Sequence, residues 1–249
     1  MLKVENLVKS FGGVAATRDV TLDFPAGSLT AVIGPNGAGK TTLFNLITGH
    51  LKPDSGKILL DGENIVGLSP AQVVHRGLGR AFQVASIFPS LTVLEAMTAA
   101  VTSHQGVSGN MWRRFPTDAA QNRAKEHLEL LGLADVGGLL SKNLSHGDQK
   151  LLDIGLALAL EPKVLLLDEP TAGMGPEERW AMIEKVQALW RLGGMTLVFI
   201  EHDMDIVFKI AQTVRVLRYG AVLAEGAPDE IRNNEAVIDA YLGRAEEHA

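Results

Sequence analysis

Gly34-Pro35-Asn36-Gly37-Ala38-Gly39-Lys40-Thr41-Thr42 decides the fold of this chain, because it satisfies every fixed position of the phosphate-binding pattern G-x-x-x-x-G-K-[ST]. The apolar run LTAVI (29–33) before it predicts a buried strand, and TLFNLITGHL (42–51) after it predicts a helix. That strand, loop and helix order is the context the pattern needs. Gly34, Gly37 and Gly39 let the backbone curl with its N–H groups pointing inward, so that a phosphate chain can sit at a helix N-terminus. Lys40 adds a mobile charge for β and γ phosphates, and the Thr41 hydroxyl is placed for Mg²⁺. Gly34, Asn36, Gly37, Ala38, Gly39, Lys40, Thr41 and Thr42 are therefore the candidate phosphate-binding residues of a nucleotide-binding protein.

Composition narrows the class. A chain of 249 residues can bury a full core, as one large domain or as one domain with an insertion. A formal charge of −6 argues against a nucleic-acid partner, which calls for a basic patch or stripe. With no cysteine there can be no disulfide and no thiolate metal site. The start MLKVENLVKS lacks the charged and apolar regions of a signal peptide. Mean hydropathy is high at +0.13, yet no apolar run reaches the roughly 18 residues that cross a bilayer. The nearest, IGLALALEPKVLLL (154–167), is interrupted by Glu161, Pro162 and Lys163 and predicts a buried helix, a turn and a buried strand.

Outward from the glycine loop, LKVENLVKSF (2–11), VTLDF (20–24) and KILLDGENI (57–65) predict strands, the last turning at Asp61-Gly62. From about Leu91 to Leu160 the period becomes helical, in TVLEAMTAAV, AKEHLELLGL and LLDIGLALAL, with QGVSGNMWRRFPTD (105–118) as a polar loop. Buried strands then return in VLLLDEP (164–170) and TLVFIEHD (196–203), separated by the amphipathic PEERWAMIEKVQALWRLG (176–193). VRVLRYGAVLAEG (214–226) predicts a hairpin at Gly220, and APDEIRNNEAVIDAYLG (227–243) a terminal helix opening at Pro228. The expected architecture is an α/β nucleotide core interrupted by a helical insertion.

Two further segments carry chemistry. VLLLDEP ends a strand in adjacent carboxylates, at the edge where open parallel sheets bind ligands. Neighbouring side chains on a strand diverge, so Asp168 and Glu169 can take different tasks, one on the Mg²⁺ shell and one beside the attacking water. LSHGDQK (144–150) precedes an apolar helix, and Ser145 with Asp148 has the spacing of a helix cap.

GPNGAGKTT, Gln83, LSHGDQ, VLLLDEP and IEHD follow the order found in the ATP-binding subunits of ABC transporters, which the whole chain resembles. The resemblance implies a P-loop NTPase (ABC ATPase) core with an antiparallel β subdomain and an inserted helical subdomain. Residues 1–86 would be the first part of the core, 87–160 the helical subdomain, and 161–249 the second part of the core. It implies ATP and Mg²⁺ as cofactors, with Thr41, Gln83 and Asp168 at the metal. The working unit would be a head-to-tail homo- or heterodimer in which Ser145 and the Gly147 backbone hold the γ-phosphate bound to the other subunit. Glu169 would polarise the water, His202 would contact the γ-phosphate, and Gln83 would report the site to the helical insertion. Phe11 stands where the family stacks an aromatic on adenine, a core position beside the Gly12-Gly13 turn being the alternative.

Three positions depart from the family pattern: His146 replaces the first signature glycine, Asp148 its usual glutamine, and Gly175 a common aspartate credited with coupling two ATP sites. GRAFQ, LTVLEAM, EPTAGM, FIEHDMDIVF and DAYLG resemble the subgroup serving branched-chain amino-acid importers, close to relatives handling urea, short amides or other hydrophobic amino acids. The chain is then expected to be a peripheral ATPase on the cytoplasmic face of the inner or plasma membrane. Its partners would be integral membrane permeases and, through them, a solute-binding protein. Ile87, Phe88, Pro89 and Leu91 are candidates for docking the permease, or alternatively for packing the core against the insertion. A soluble ABC ATPase acting on DNA or ribosomes and a small-molecule P-loop kinase are the alternatives.

Overall fold

Alternation in the first residues builds an antiparallel layer. The structure, a computed structural model, describes residues 1–81, 87–104 and 116–242. In β1 (Leu2–Phe11) the buried Leu2, Val4 and Leu7 pair with Phe24, Leu22 and Val20 of β2 (Val14–Phe24), so both strands turn the same apolar face inward. The chain then crosses to β3 (Leu29–Ile33), buried throughout, and enters α1 (Lys40–Ile47) through the glycine loop. It returns to the first layer as β4 (Ser55–Leu60) and β5 (Glu63–Asn64). Their turn uses left-handed φ at Asp61 and Gly62, as a two-residue hairpin requires. The resulting sheet has the order β2-β1-β4-β5.

A capping box between Ser69 and Gln72 starts α2 (Pro70–His75), which leads to the short β6 (Leu78–Ala81). The helical segment follows as α3 (Val93–His104), α4 (Asp118–Leu131) and α5 (His146–Leu158). Next come β7 (Val164–Asp168), α6 (Pro176–Gly193), β8 (Thr196–Ile200), α7 (Met204–Ile210), β9 (Thr213–Arg218) and β10 (Ala221–Gly226). A second sheet orders these strands β10-β9-β3-β8-β7-β6, parallel except for the β9–β10 hairpin. Leu165, Leu167, Leu197 and Phe199 on one face join the helices in one core. Leu166, Val198 and Ile200 on the other pack against the antiparallel layer and α1. Both faces are thus covered, as a parallel sheet demands.

The terminal segment, expected as one helix, is two: α8 (Pro228–Arg232) and α9 (Glu235–Leu242). The Asn234 side chain accepts from Val237 N–H at 3.2 Å, a local cap that restarts the helix instead of continuing it. Most of the expected 105–118 loop lies outside the described residues, as does Gln83.

On α4 the half-buried His127 has its pKa lowered, first by burial and then by Arg123, against Glu161 and Glu126. The unfolded chain therefore takes up this proton first. Its contribution is harmless above the ordinary value of 6.5 and erodes stability as pH falls below it. Urea midpoints measured from about pH 7.5 down to about pH 5.5 should decline less steeply in His127→Gln than in the parent.

Candidate active site

The glycine loop is shaped by the strands packed around it. Gly34 (φ +150°) and Gly39 (φ +100°) occupy backbone regions that side chains rarely adopt. A Cβ at Gly34 would lie 2.2 Å from the Leu217 carbonyl oxygen, and one at Gly39 would lie 2.3 Å from that of Ala16. The loop is clasped between β2 and β9, and Gly220 N–H donates to the Ala38 carbonyl at 3.0 Å. Gly37 also has a positive φ of +79° but faces open space.

Gly39 caps α1 without a side chain, and no acidic residue stands in its first turn, so the helix start is suited to an anion. Lys40 is buried, its Nζ donating to the Gly34 carbonyl at 2.7 Å and the Pro35 carbonyl at 3.2 Å. Tyr241 of α9 is packed beside the Gly34 backbone, and burial pushes its phenol up to about 12. Thr41 and Thr42 follow in the same first turn of α1.

Asp168 and Glu169 leave the end of β7 in different directions. Asp168 is 3% exposed, and its Oδ2 accepts from Arg80 Nη2 at 2.7 Å. Glu169 takes a left-handed φ of +48°, its N–H donating to the Ile200 carbonyl at 3.0 Å. Its Oε1 lies 2.8 Å from His202 Nε2. A third carboxylate, the buried Glu201, ties the two loops together: Oε1 accepts from Thr171 N–H and Oγ1 at 3.0 and 2.7 Å, and Oε2 from His202 N–H at 3.1 Å. The buried Lys150 of α5 balances this acidic edge. Burial lowers its pKa, while Asp153 and then Asp168, Glu169 and Glu201 oppose the shift.

Ser145 caps α5, accepting from Asp148 N–H at 3.1 Å and donating to Asp148 Oδ2 at 2.8 Å. A Cβ at Gly147 would meet nothing within 4 Å. His146 Nε2 lies 3.1 Å from the Ala172 carbonyl oxygen, fastening the start of α5 to the loop after Glu169. Phe11 is 47% exposed at the end of β1, with Lys9 Nζ 5.5 Å from its ring centroid, so it is no core residue.

The structure thus joins Glu169 to His202 directly and Asp168 to both through the shared strand ends, whereas Ser145 bonds within its own helix. Sequence reading missed Arg80, Lys150 and Glu201. The signal available for Lys150 and Glu201 was a charge set against an apolar run, KLLDIGLALAL and TLVFIE, whereas LGRA around Arg80 offered none.

A phosphate-binding loop after β3, carboxylates after β7 and a histidine after β8, all on the carboxyl edge of one sheet, define a nucleotide-binding cassette. A family model described as ABC transporter matches residues 17–172, and one described as branched-chain amino acid ATP-binding cassette transporter matches residues 221–247. The high-affinity branched-chain amino acid transport ATP-binding protein LivG of Escherichia coli (strain K12) is 38% identical, with 98% of each chain covered. BraF of Pseudomonas aeruginosa, described in the same words, is 36% identical over the same shares. A nucleotide-free ATP-binding cassette from an ABC transporter superposes with a TM-score of 0.84 at 32% identity, covering 97% of this chain and 98% of that one. A dimeric cassette in a post-hydrolysis state bound to ADP and Pi gives 0.78 at 25% identity, covering 92% and 99%. The chain belongs to the ABC transporter family, as one of its ATPase subunits. No helix among the described residues is long and apolar enough to cross a membrane.

The two loop glycines offer a test of pre-shaping. Gly39→Ala, with both a strained φ and a backbone clash, should lower the unfolding free energy by about 2 kcal/mol or more, and Gly37→Ala by about 1 kcal/mol, in urea denaturation. Equal losses would mean that the Ala16 carbonyl does not constrain the loop.

Proposed function

We propose that this chain hydrolyses ATP to drive an importer of branched-chain amino acids, working as one half of a head-to-tail dimer on the cytoplasmic face of the membrane. The names of its relatives LivG and BraF support the substrate class, and the dimeric ADP-bound cassette supports the assembly. The observation that carries the hydrolytic reading is the 2.8 Å contact between Glu169 and His202 at the strand edge beside the glycine loop.

In this reading Gly34, Asn36, Gly37, Ala38, Gly39, Lys40, Thr41 and Thr42 cradle the phosphates. Lys40 exchanges its two loop carbonyls for phosphate oxygens. The half-exposed Phe11 stacks on adenine. Thr41, Asp168 and Gln83 offer a hydroxyl, a carboxylate and an amide oxygen, a hard donor set that fits Mg²⁺. Bound there, Mg²⁺ would neutralise charge on the phosphates. Glu169 orients the water, with His202 holding the Glu169 carboxylate until the γ-phosphate is present to engage the imidazole. Ser145 and Gly147 serve the nucleotide of the other subunit, where the open space around Gly147 admits a close approach.

Residues 1–86 and 161–249 form the nucleotide core in this division, and 87–160 the helical part that meets the permease. A groove of about 310 Å³, lined by the apolar Phe88, Ala99, Ala100 and Leu156 together with Arg80 and Asp153, suits an amphipathic segment of that partner. ATP can move the permease only as far as it binds the closed dimer more tightly than the open one.

Glu169→Gln should lower kcat at least about a hundredfold while ATP affinity stays within about twofold, and should trap a dimer on ATP in size-exclusion runs. Parent turnover in that variant would remove Glu169 from the water. Phe11→Ala should weaken ATP binding at least about fivefold and flatten discrimination between ATP and GTP, measured by nucleotide titration.

A further inference from the structure

Arg80 lies at the junction of three elements the hydrolytic site depends on. It stands on β6, three residues before Gln83, with its side chain 5% exposed. Nη2 donates to Asp168 Oδ2 on β7 at 2.7 Å. Nη1 donates to Asn45 Oδ1 at 2.7 Å and to Thr48 Oγ1 at 3.3 Å, the first on α1 and the second its C-cap, and α1 is the helix that opens with Lys40 and Thr41. The guanidinium also lies 5.7 Å from the ring centroid of Phe44 on that helix.

Net stability gives little reason to keep such a group. A buried ion pair is on balance close to neutral against apolar residues of the same volume, because desolvation of both charges offsets their attraction. The geometry gives a better one. The planar fork of arginine reaches two elements at once, which a lysine cannot do. One fork arm fixes Asp168 through a single oxygen, and the other sets that carboxylate against the helix carrying Thr41. A full positive charge in contact with the same carboxylate also opposes a divalent cation coming to it. Lys150 is a second buried cation whose charge acts on Asp168, though more strongly on Asp153.

We propose that Arg80 is a positioning residue of the divalent-cation site: it locks Asp168 through Oδ2, and its charge limits how tightly that carboxylate holds a nucleotide-bound divalent cation. The inference rests on reading Asp168 as the metal carboxylate. A limited hold has a use in a cycle that exchanges the metal with each spent nucleotide, since a site that binds more tightly also releases more slowly. Two of the expected metal residues are thus tied to one guanidinium, Asp168 by direct contact and Thr41 through the helix it opens.

The test compares affinity for a fluorescent non-hydrolysable ATP analogue in EDTA and in Mg²⁺, using the full chain. The ratio of the two dissociation constants reports the metal's contribution without any turnover. Arg80→Gln should raise this ratio at least about fivefold, while kcat in a separate hydrolysis assay falls at least about tenfold. Arg80→Lys, which keeps the charge but not the fork, should leave the ratio within about twofold of the parent and still lose kcat. A damaged fold would lower the ratio, so the expected rise is not a stability effect. Should Arg80→Gln fail to fold, Asn45→Asp places a carboxylate against Nη1, draws off its charge and should move the ratio upward as well. A ratio that is unchanged or lowered in the folded variant, or kcat at the parent level in Arg80→Gln, overturns the assignment. Asp168→Asn separates the two failures: if it leaves the ratio unchanged, the reading of Asp168 as the metal carboxylate is what fails.

Discussion

Burial of β3, β7 and β8 on both faces is the constraint from which the site follows. Along LTAVI, VLLLD and TLVFI no charged side chain stands before Asp168, because a charge in the middle of these strands would be buried without water or partner. Charge can enter only where the strands end. Their parallel register brings the three ends together, Val32 opposite Ile200 and Asp168 opposite Ile200, so the glycine loop, the carboxylates and His202 emerge side by side. The sheet thus places the site by excluding its chemistry from everywhere else.

Crowding acidic groups at that edge creates a second requirement. Asp168, Glu169 and Glu201 leave the paired ends of β7 and β8 side by side, and left alone they would repel one another. Each is held by its neighbours instead: Asp168 by Arg80, Glu169 by the His202 ring, and Glu201 by the Thr171 N–H and hydroxyl and the His202 N–H. Lys150 adds a buried cation from α5. The partners come from β6 and α5 as well as from the loops after β7 and β8, so the acidic edge reports on the seating of several elements. An error in any one of them leaves a carboxylate buried without its counter-charge, which costs far more than the pair contributes.

What was legible in the sequence depended on how local the determinant is. The strand, loop and helix around Gly34 to Thr42 follow from glycines and an apolar run within a few residues of each other. The Asp61-Gly62 turn and the Ser145 cap are likewise local. Arg80 was not legible, because its meaning lies in contacts with Asn45 and Asp168, far along the chain, and because LGRA is too short and too glycine-containing to announce a strand. Glu201 was hidden for the same reason, its partners being in the Thr171 loop. The split between α8 and α9 turned on the side chain of Asn234, a competition too finely balanced for periodicity to reveal. Gln83 lies outside the described residues, and its place at the site rests on its position in the sequence.

The departures from the family pattern become coherent once seen in space. Gly175 presents no side chain; it is the N-cap of α6, and Glu178 reaches back to its N–H at 3.2 Å. A residue there cannot link one part of the site to another through side-chain contacts. His146 stands at the opposite end of the same loop problem, its ring 3.1 Å from the Ala172 carbonyl between Glu169 and Gly175. A glycine at 146, as in the general pattern, could make no such contact. In this chain the start of α5 is therefore fastened to the loop that follows Glu169 by the side chain at 146. Because the contact is to a backbone oxygen, it constrains the path of the loop whatever side chains the loop carries. Asp148 completes the arrangement by accepting from the Ser145 hydroxyl, which spends its charge within the helix cap instead of facing outward. With these three residues Gly147 stays open and Ser145 stays bonded within its cap, while His146 ties the start of α5 to the loop after Glu169.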